Sequence, residues 1–309
     1  IKEKKNELME FSKGNSDMVY KFPLEMIDEI VDYKHQLKPA YKQFQLQFMP
    51  SLSVQYYGFQ HQGTIFNNLY LRKAFCYAID RQKLCDFTLK GSGFPAIYGI
   101  VPPGTGTYTS QNINGFTYDA AKAREYMSKA GYPNGKGCPK ITLQLNSGGT
   151  RNTQVAEALK KMIEETLGIK IDLLTVPWAQ HTEAVESAKT DFYRLGWSAD
   201  YPDAENFLNL FHSKYVPAEL STKTYINSFL YKSKTFDEYF NKAVETTDEA
   251  KRNELYNKAD QQIIDDAVVL PIYYDIDYRL LQPNVRNCPQ NAIEQRDFSE
   301  VYFVPMKGK

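Results

Sequence analysis

The strongest constraint on the fold is a regular alternation of strand-like and helix-like segments in the middle of the chain. Strand segments alternate apolar and polar residues, whereas helix segments repeat apolar residues every three or four positions. The segments are, in order, 141–145 (strand), 152–167 (helix), 169–175 (strand), 178–188 (helix) and 192–197 (strand). Strand–helix–strand units favour parallel strands joined by right-handed crossovers. The sequence therefore predicts an α/β fold with a mainly parallel sheet flanked by helices.

Flanking segments extend this pattern in both directions. Helical spacing is also present at 69–89, 120–130, 204–211, 236–244 and 249–264, and strand patterns at 53–59, 268–274 and 278–282. Three helix starts carry capping signals: Asp119, Asp203, and Thr246 with Glu249 at capping-box spacing. Residues 91–117, rich in Gly, Pro, Thr and Ser, predict a long irregular loop of the kind that is usually functional or covers something.

Composition narrows the classes of partner. The 309 residues are 42% hydrophobic, enough for one large or two modest domains. Lysine plus arginine and aspartate plus glutamate number 37 each, so the basic footprint of a nucleic-acid-binding protein is missing. No run approaches the roughly 20 apolar residues of a membrane-spanning helix.

The cysteines and the amino terminus say little about compartment. Cys76, Cys85, Cys138 and Cys288 form none of the close pairs typical of metal or redox sites. Cys138 and Cys288 lie in loop-like contexts, where a disulfide between them and free thiols are both open. Residues 1–7 contain no apolar segment of a signal peptide, so either the chain is cytoplasmic or its leader lies upstream.

Two loops at strand ends are the best candidates for a ligand site, because open parallel sheets bind ligands beyond the carboxyl ends of their strands. Loop 146–151 leads into a helix amino terminus, which favours an anion such as a carboxylate. Loop 198–203 contains Asp200, which can receive an ammonium group, and follows Arg194 and Trp197. Arg194 and Trp197 are three residues apart and should lie on opposite strand faces unless Gly196 bends the strand. A cation acceptor, an anion donor and an aromatic wall suit a zwitterion such as a peptide.

Each of these residues also has a plain structural interpretation. Asp200 and Asp203 suit turns and caps, Trp197 suits core packing, and Arg194 suits a surface ion pair. No catalytic motif stands out: a nucleophile elbow, a zinc-protease helix, a P-loop and a dinucleotide fingerprint are all missing. The four histidines, His35, His61, His181 and His212, are scattered and are interpreted as structural or surface residues. The prediction is a binding protein with no metal and no cofactor.

Several ordered segments resemble a known family, the bacterial extracellular solute-binding proteins of the oligopeptide, dipeptide and nickel class. The likeness lies in 14–17, 71–81, 118–133, 255–262, 270–274 and Gly196-Trp197-Ser198-Ala199-Asp200-Tyr201. It implies a type II periplasmic-binding-protein-like lobe, truncated at the amino terminus. Residues 1–40 would be a remnant of the first lobe with the crossover, 41–272 the second ligand-binding lobe, and 273–309 returning strands of the first lobe.

The resemblance also implies a function and a set of contacts. The protein would be the substrate-binding component of an ABC importer that captures oligopeptides or dipeptides, and not an enzyme. Asp200 would bind the peptide amino terminus, Trp197 would line a side-chain pocket with Tyr201 beside it, and Arg194 would meet the ligand carboxylate, with Arg151 adding contacts by position.

Implied partners are a peptide and an inner-membrane ABC permease, with the protein monomeric, periplasmic or at the cell surface, and lipid-anchored. Because half of the cleft would be missing, the isolated chain is expected to bind peptides weakly. The alternatives are a receptor for another small solute, such as a sugar, haem or a metal chelate, and a peptide hydrolase.

Overall fold

The computed structural model describes residues 4–22, 24–32, 34–219 and 222–305. The α-helices are α1 Lys4–Ser12, α2 Ile27–Ile30, α3 Leu69–Tyr77, α4 Arg81–Lys83, α5 Ala120–Lys129, α6 Thr150–Leu167, α7 Trp178–Glu186, α8 Glu205–Leu208, α9 Lys234–Glu245 and α10 Glu249–Asp265. The strands are β1 Met18–Tyr20, β2 Gln45–Phe59, β3 Gly93–Pro95, β4 Ile141–Asn146, β5 Ile171–Val176, β6 Phe192–Ser198, β7 Val269–Leu281, β8 Val285–Arg286 and β9 Tyr302–Phe303.

The main sheet is mixed, with strand order β1-β7-β2-β6-β4-β5 and β3 attached to β7. Strand β4 pairs parallel with β5 and β6, which confirms the predicted strand–helix–strand units. All pairings of β2 and β7 are antiparallel, so the prediction of a mainly parallel sheet is wrong. The reason is long-range: β2 and β7 lie more than 200 residues apart, and no local pattern reports how two such strands pair. Segments 268–274 and 278–282, predicted as two strands, form the single strand β7.

Strands β2 and β7 connect separate hydrophobic clusters. The carboxyl-terminal half of β2 and the amino-terminal half of β7 pack in the two larger clusters. Leu46 of β2, together with Ile276 and Tyr278 of β7, packs instead with α1, β1 and α2. The register of the pair shifts between Pro50 and Val54, so the pairing is irregular at this transition. The boundary predicted between residues 272 and 273 falls inside β7, and the division into two lobes stays a prediction.

Helices cover both faces of the sheet. On one face α3, α5 and α6 pack against β2, β4 and β6, and on the other α8, α9 and α10 pack against β2, β6 and β7. In the first cluster the rings of Phe59 and Phe192 stack with centroids 5.2 Å apart, and Phe75 meets Phe192 edge-on at 5.5 Å. Burial of these aromatic side chains contributes much of the favourable free energy that holds β6 in place.

Local capping explains where several helices begin. Asp119 accepts a hydrogen bond from the Lys122 amide, as predicted. The cap of α10 is Asp248, which accepts from the Lys251 amide, so the predicted capping box with Thr246 is wrong. Asp203, the predicted cap of α8, accepts a hydrogen bond from the Glu205 amide at 2.9 Å, and Ala204 between them already has helical backbone angles. The predicted helix 69–89 is divided at residues 78–80 into α3, α4 and a π-helical turn over Leu84–Thr88.

The long loop 91–117 is fastened to α10 by the fully buried carboxylate of Asp260. This carboxylate accepts hydrogen bonds from the Ile100 amide at 2.8 Å, the Tyr108 hydroxyl at 2.8 Å and the Val101 amide at 3.5 Å. Burial raises the pKa of Asp260 to about 6, although the three donors oppose that rise. A Cβ added to Gly99 would lie 2.0 Å from the carboxylate, so this close approach requires glycine.

The structure also shows the state of the cysteines and bears on whether a described helix could span a membrane. Cys76, Cys85, Cys138 and Cys288 are all free thiols. Within the described parts of the chain, no helix combines the length and apolar character needed to cross a bilayer.

Candidate ligand-binding cleft

A cavity of about 510 Å³ lies between the β1–α2 region and the amino terminus of α6. Loop 146–151 faces it, as expected for a site beyond the carboxyl end of a parallel strand. The side chain of Thr150 donates across the cavity to the Glu25 carboxylate at 3.4 Å. The lining residues with charged side chains are Lys4, Lys5, Lys21, Glu25 and Arg151.

Arg151 is held at the edge of this cavity by three residues. Its Nη2 donates to the Ser92 carbonyl at 2.7 Å and to the Ser92 hydroxyl at 3.0 Å. Its Nη1 lies 3.4 Å from Oδ1 of Asp275, and its guanidinium lies 5.2 Å from the centre of the Tyr273 ring. These contacts fix the direction of the guanidinium and so reduce the entropy lost when it binds an anion.

Asp275 links Arg151 to Arg194 through a buried polar network. Oδ2 of Asp275 accepts hydrogen bonds from Ser53 Oγ at 2.9 Å and Gln55 Nε2 at 2.7 Å. The Gln55 amide oxygen in turn accepts from Arg194 Nη2, and Arg194 Nη1 donates to Asn146 Oδ1 at 3.2 Å. The network contains two guanidinium groups and one carboxylate, which gives it a formal net charge of about +1. Such a site suits a ligand carboxylate.

Asp275→Asn is expected to lower the free energy of unfolding by about 1–3 kcal/mol. The variant loses the ion pair with Arg151, and an amide placed beside the guanidinium presents a second donor where an acceptor is needed. Chemical denaturation measures the change. Asp172→Asn is the matched control, because Asp172 also pairs with a cation, Lys140, but on the exposed surface, where ion pairs contribute little. Equal stability of both variants would contradict a structural role for the network.

Arg194 and Trp197 lie on opposite faces of β6, as their spacing predicted. The ladder between β2 and β6 is unbroken from Ser53 opposite Ser198 to Phe59 opposite Phe192, so the suggested bend at Gly196 is wrong. Gly196 instead makes room for Gln55, since a Cβ there would lie 2.6 Å from the Gln55 amide oxygen. The glycine thereby admits the side chain that connects Arg194 to Asp275.

Asp200 lies directly beyond the end of β6, with its side chain exposed to solvent. Across the residues that the structure describes, its carboxylate has no ion pair and no hydrogen bond. The turn and cap chemistry that was the alternative interpretation of both acids is present at Asp203, which accepts from the Glu205 amide at 2.9 Å. Asp203 also lies 3.4 Å from Arg252. Asp200 is therefore available to an incoming cation.

Trp197 and Asp200 share one hydrogen-bond acceptor. Oδ1 of the buried residue Asn206 accepts from Trp197 Nε1 at 2.8 Å and from the Asp200 amide at 3.3 Å. The Trp197 side chain is half-buried and packs against the cluster that includes α8. The hydroxyl of the exposed residue Tyr201 donates to the Glu205 carboxylate. Its predicted ligand contact, like those of the other four residues, stays a prediction.

The five predicted residues thus fall into two groups. Arg151 and Arg194 belong to the Asp275 network, whereas Trp197, Asp200 and Tyr201 surround the start of α8. Three residues that connect these groups to the fold were missed: Gln55, Asp275 and Asn206. A signal existed for Asp275, a charged residue directly after the apolar run 268–274. Asn206 gave none, because its partners are defined only once the turn before α8 has formed.

The histidines whose contacts the structure shows have structural roles. His181 is buried, with Nδ1 3.0 Å from Gln144 Nε2 and Nε2 2.8 Å from the Arg194 carbonyl. Burial lowers the pKa of His181, and it lowers that of His61 to about 3, so both rings are neutral at physiological pH. Within the described ranges, no group of three His, Cys, Asp or Glu side chains is placed to hold a metal ion.

Comparisons with known proteins agree with this architecture. The chain is 27% identical to the oligopeptide-binding protein OppA of Bacillus subtilis over 82% of its own length and 46% of that relative. It is 25% identical to heme-binding protein A of Haemophilus influenzae over 86% of its length and 46% of that relative. The periplasmic binding protein DppA of Helicobacter pylori, solved with the peptide STSA, superposes with a TM-score of 0.81 at 24% identity, covering 98% of this chain and 56% of the other.

The chain spans about half the length of the curated relatives it matches. The structural match shows a type II periplasmic-binding-protein fold. The family described as bacterial extracellular solute-binding proteins, family 5 Middle, matches residues 1–217, well over half of the chain. The chain therefore belongs to the family 5 bacterial extracellular solute-binding proteins.

Proposed function

We propose that the protein captures short peptides with a free amino terminus, as the substrate-binding component of an ABC importer. The observation that carries the proposal is the exposed carboxylate of Asp200, which has no partner among the described residues, at one end of β6. Towards the other end of the same strand, Arg194 belongs to a network with a net positive charge. A zwitterion matches this order of charges.

The spacing of the charges fits an extended chain. Arg194 and Asp200 are six residues apart, so at most about 20 Å of strand separates them. A peptide of a few residues spans this length at about 3.3–3.6 Å per residue. The ammonium group would donate a charge-assisted hydrogen bond to the Asp200 carboxylate, and the terminal carboxylate would meet Arg194 or Arg151. Trp197 would contact a side chain beside the ammonium group, with Tyr201 next to it.

The relatives support the wider setting of the proposal. One is named for oligopeptide binding, and one structural neighbour contains a peptide. We propose a permease as the protein partner, a monomeric state, a location in the periplasm or at the cell surface with a lipid anchor, and no catalytic turnover. The relative named for heme binding favours one alternative, a receptor for haem on the same fold.

Mass spectrometry of ligands that co-purify with the longest natural form of the protein tests the proposal. We expect short peptides with unmodified amino termini, because an acetylated terminus cannot form an ion pair with Asp200. Haem or a sugar as the bound ligand, with no peptide present, would contradict peptide capture. A mixture of peptide sequences is expected, since terminal charges and backbone hydrogen bonds do not depend on side-chain identity.

A further inference from the structure

Asn206 is a buried amide whose oxygen connects two ligand-site candidates. Its side chain is 6% exposed, and its Oδ1 accepts both the indole hydrogen of Trp197 and the backbone amide of Asp200. An amide oxygen has two lone pairs, so this one atom uses its whole acceptor capacity on these two donors. No other described side chain contacts both residues through hydrogen bonds.

The backbone around Asn206 is itself fixed. The Asn206 amide donates to the Asp203 carbonyl at 3.2 Å, and the Ala199 amide donates to the Leu52 carbonyl at 2.8 Å. Residues 199 and 206 are therefore tied down independently, one to β2 and one to the turn before α8. The segment between them contains Asp200, whose side chain has no hydrogen bond or ion pair among the residues that the structure describes.

We infer that Asn206 is a positioning residue, which holds the Asp200 carboxylate and the Trp197 ring in the geometry that receives a peptide ammonium group. This inference rests on the proposed function. A mobile carboxylate loses conformational entropy when it binds a ligand, and this loss lowers the affinity. The Asn206 oxygen restrains the Asp200 backbone before the ligand arrives, and it fixes the indole plane through the same atom.

The inference predicts a selective loss of affinity. In the longest natural form of the protein, Asn206→Leu should weaken a tripeptide with a free amino terminus about tenfold by calorimetry. The amino-acetylated tripeptide should be weakened less than twofold, because it makes no ion pair with Asp200. Asn206→Asp keeps an acceptor oxygen at the same position and should restore affinity to within about threefold of wild type.

A spectroscopic readout separates positioning from general stability. The chain contains two tryptophans, so Trp178→Phe assigns the remaining indole N–H signal in a ¹H–¹⁵N spectrum to Trp197. That signal should shift upfield in Asn206→Leu, and in Asn206→Ala if the leucine variant does not fold, but not in Asn206→Asp. Asn209→Leu is the matched control, because Asn209 lies three residues later and its Oδ1 has no hydrogen-bond partner in the described structure.

Two results would overturn the inference, and they differ from each other. If the indole signal shifts in Asn206→Leu but free and acetylated peptides are weakened equally, Asn206 is structural only, and the proposed function still stands. If the wild-type protein itself does not prefer the free amine, the proposed function fails and there is nothing for Asn206 to position. The first result is measured on the Asn206 variants and the second on the wild-type protein, so the two failures are distinguishable.

Discussion

Asp200→Asn is expected to weaken the binding of peptides with a free amino terminus about 100-fold in the longest natural form of the protein. Removing one partner of a desolvated charge pair costs roughly 2–5 kcal/mol, and part of this is the penalty of burying the remaining charge alone. Asparagine has nearly the same shape but no charge, so the loss reports the ion pair and not the packing. Calorimetry with a defined tripeptide measures the change.

The first control for Asp200→Asn is a modified ligand. The same tripeptide with an acetylated amino terminus has no ammonium group, so its affinity should change less than threefold between wild type and Asp200→Asn. A second control is Asp203→Asn, since the Asp203 carboxylate already bonds the Glu205 amide and lies near Arg252. Equal losses for free and acetylated peptides would remove Asp200 from the site.

Asp260→Ala is expected to lower the free energy of unfolding by about 3 kcal/mol or more. The substitution leaves the Ile100 amide and the Tyr108 hydroxyl buried without their acceptor, and each such group costs roughly 1–3 kcal/mol. Loop 91–117 should lose protection from hydrogen exchange together with the global stability. Asp265→Ala on the same helix is the control, because Asp265 is exposed and bonds only Gln261.

The same carboxylate makes stability depend on pH. Its pKa is raised from the ordinary value of 3.8 to about 6 in the folded protein, so the native state holds the proton more tightly than the unfolded state. The contribution of Asp260 to stability is therefore fully present below pH 3.8 and is lost as the pH rises through about 6. Relative to Asp260→Asn, the wild type should lose up to about 3 kcal/mol between pH 4 and pH 7. A constant difference between the two proteins across this range would contradict the raised pKa.

Periodicity was sufficient for the elements whose partners are close in sequence. Helix α5 begins at its predicted cap, and β4, α6, β5, α7 and β6 follow one another as the pattern indicates. Apolar spacing reports which face of an element is buried, and crossovers of this length constrain neighbouring strands to be parallel. The predicted loops 146–151 and 198–203 accordingly lie at strand ends, the first beside a cavity.

Periodicity could not predict which distant segments pair with each other. The antiparallel partnership of β2 with β7 joins residues 45–58 to 269–281, and it changes a sheet predicted as mainly parallel into a mixed one. Asp275, Gln55 and Arg194 come from three separate strands, so their network exists only after the sheet has assembled. Asn206 depends in the same way on the turn that brings α8 back towards β6. The residues proposed to contact a ligand carried a sequence signal, whereas Asn206, which is proposed to orient two of them, carried none.

The central claim is that the Asp200 carboxylate receives the ammonium group of a peptide. A crystal structure of the longest natural form of the protein with a bound tripeptide tests it most directly. We expect the peptide α-nitrogen within about 3 Å of an Asp200 carboxylate oxygen, with the terminal carboxylate towards Arg194 or Arg151. A peptide bound with its ammonium group at another acid, and with Asp200 still facing solvent, would contradict the claim.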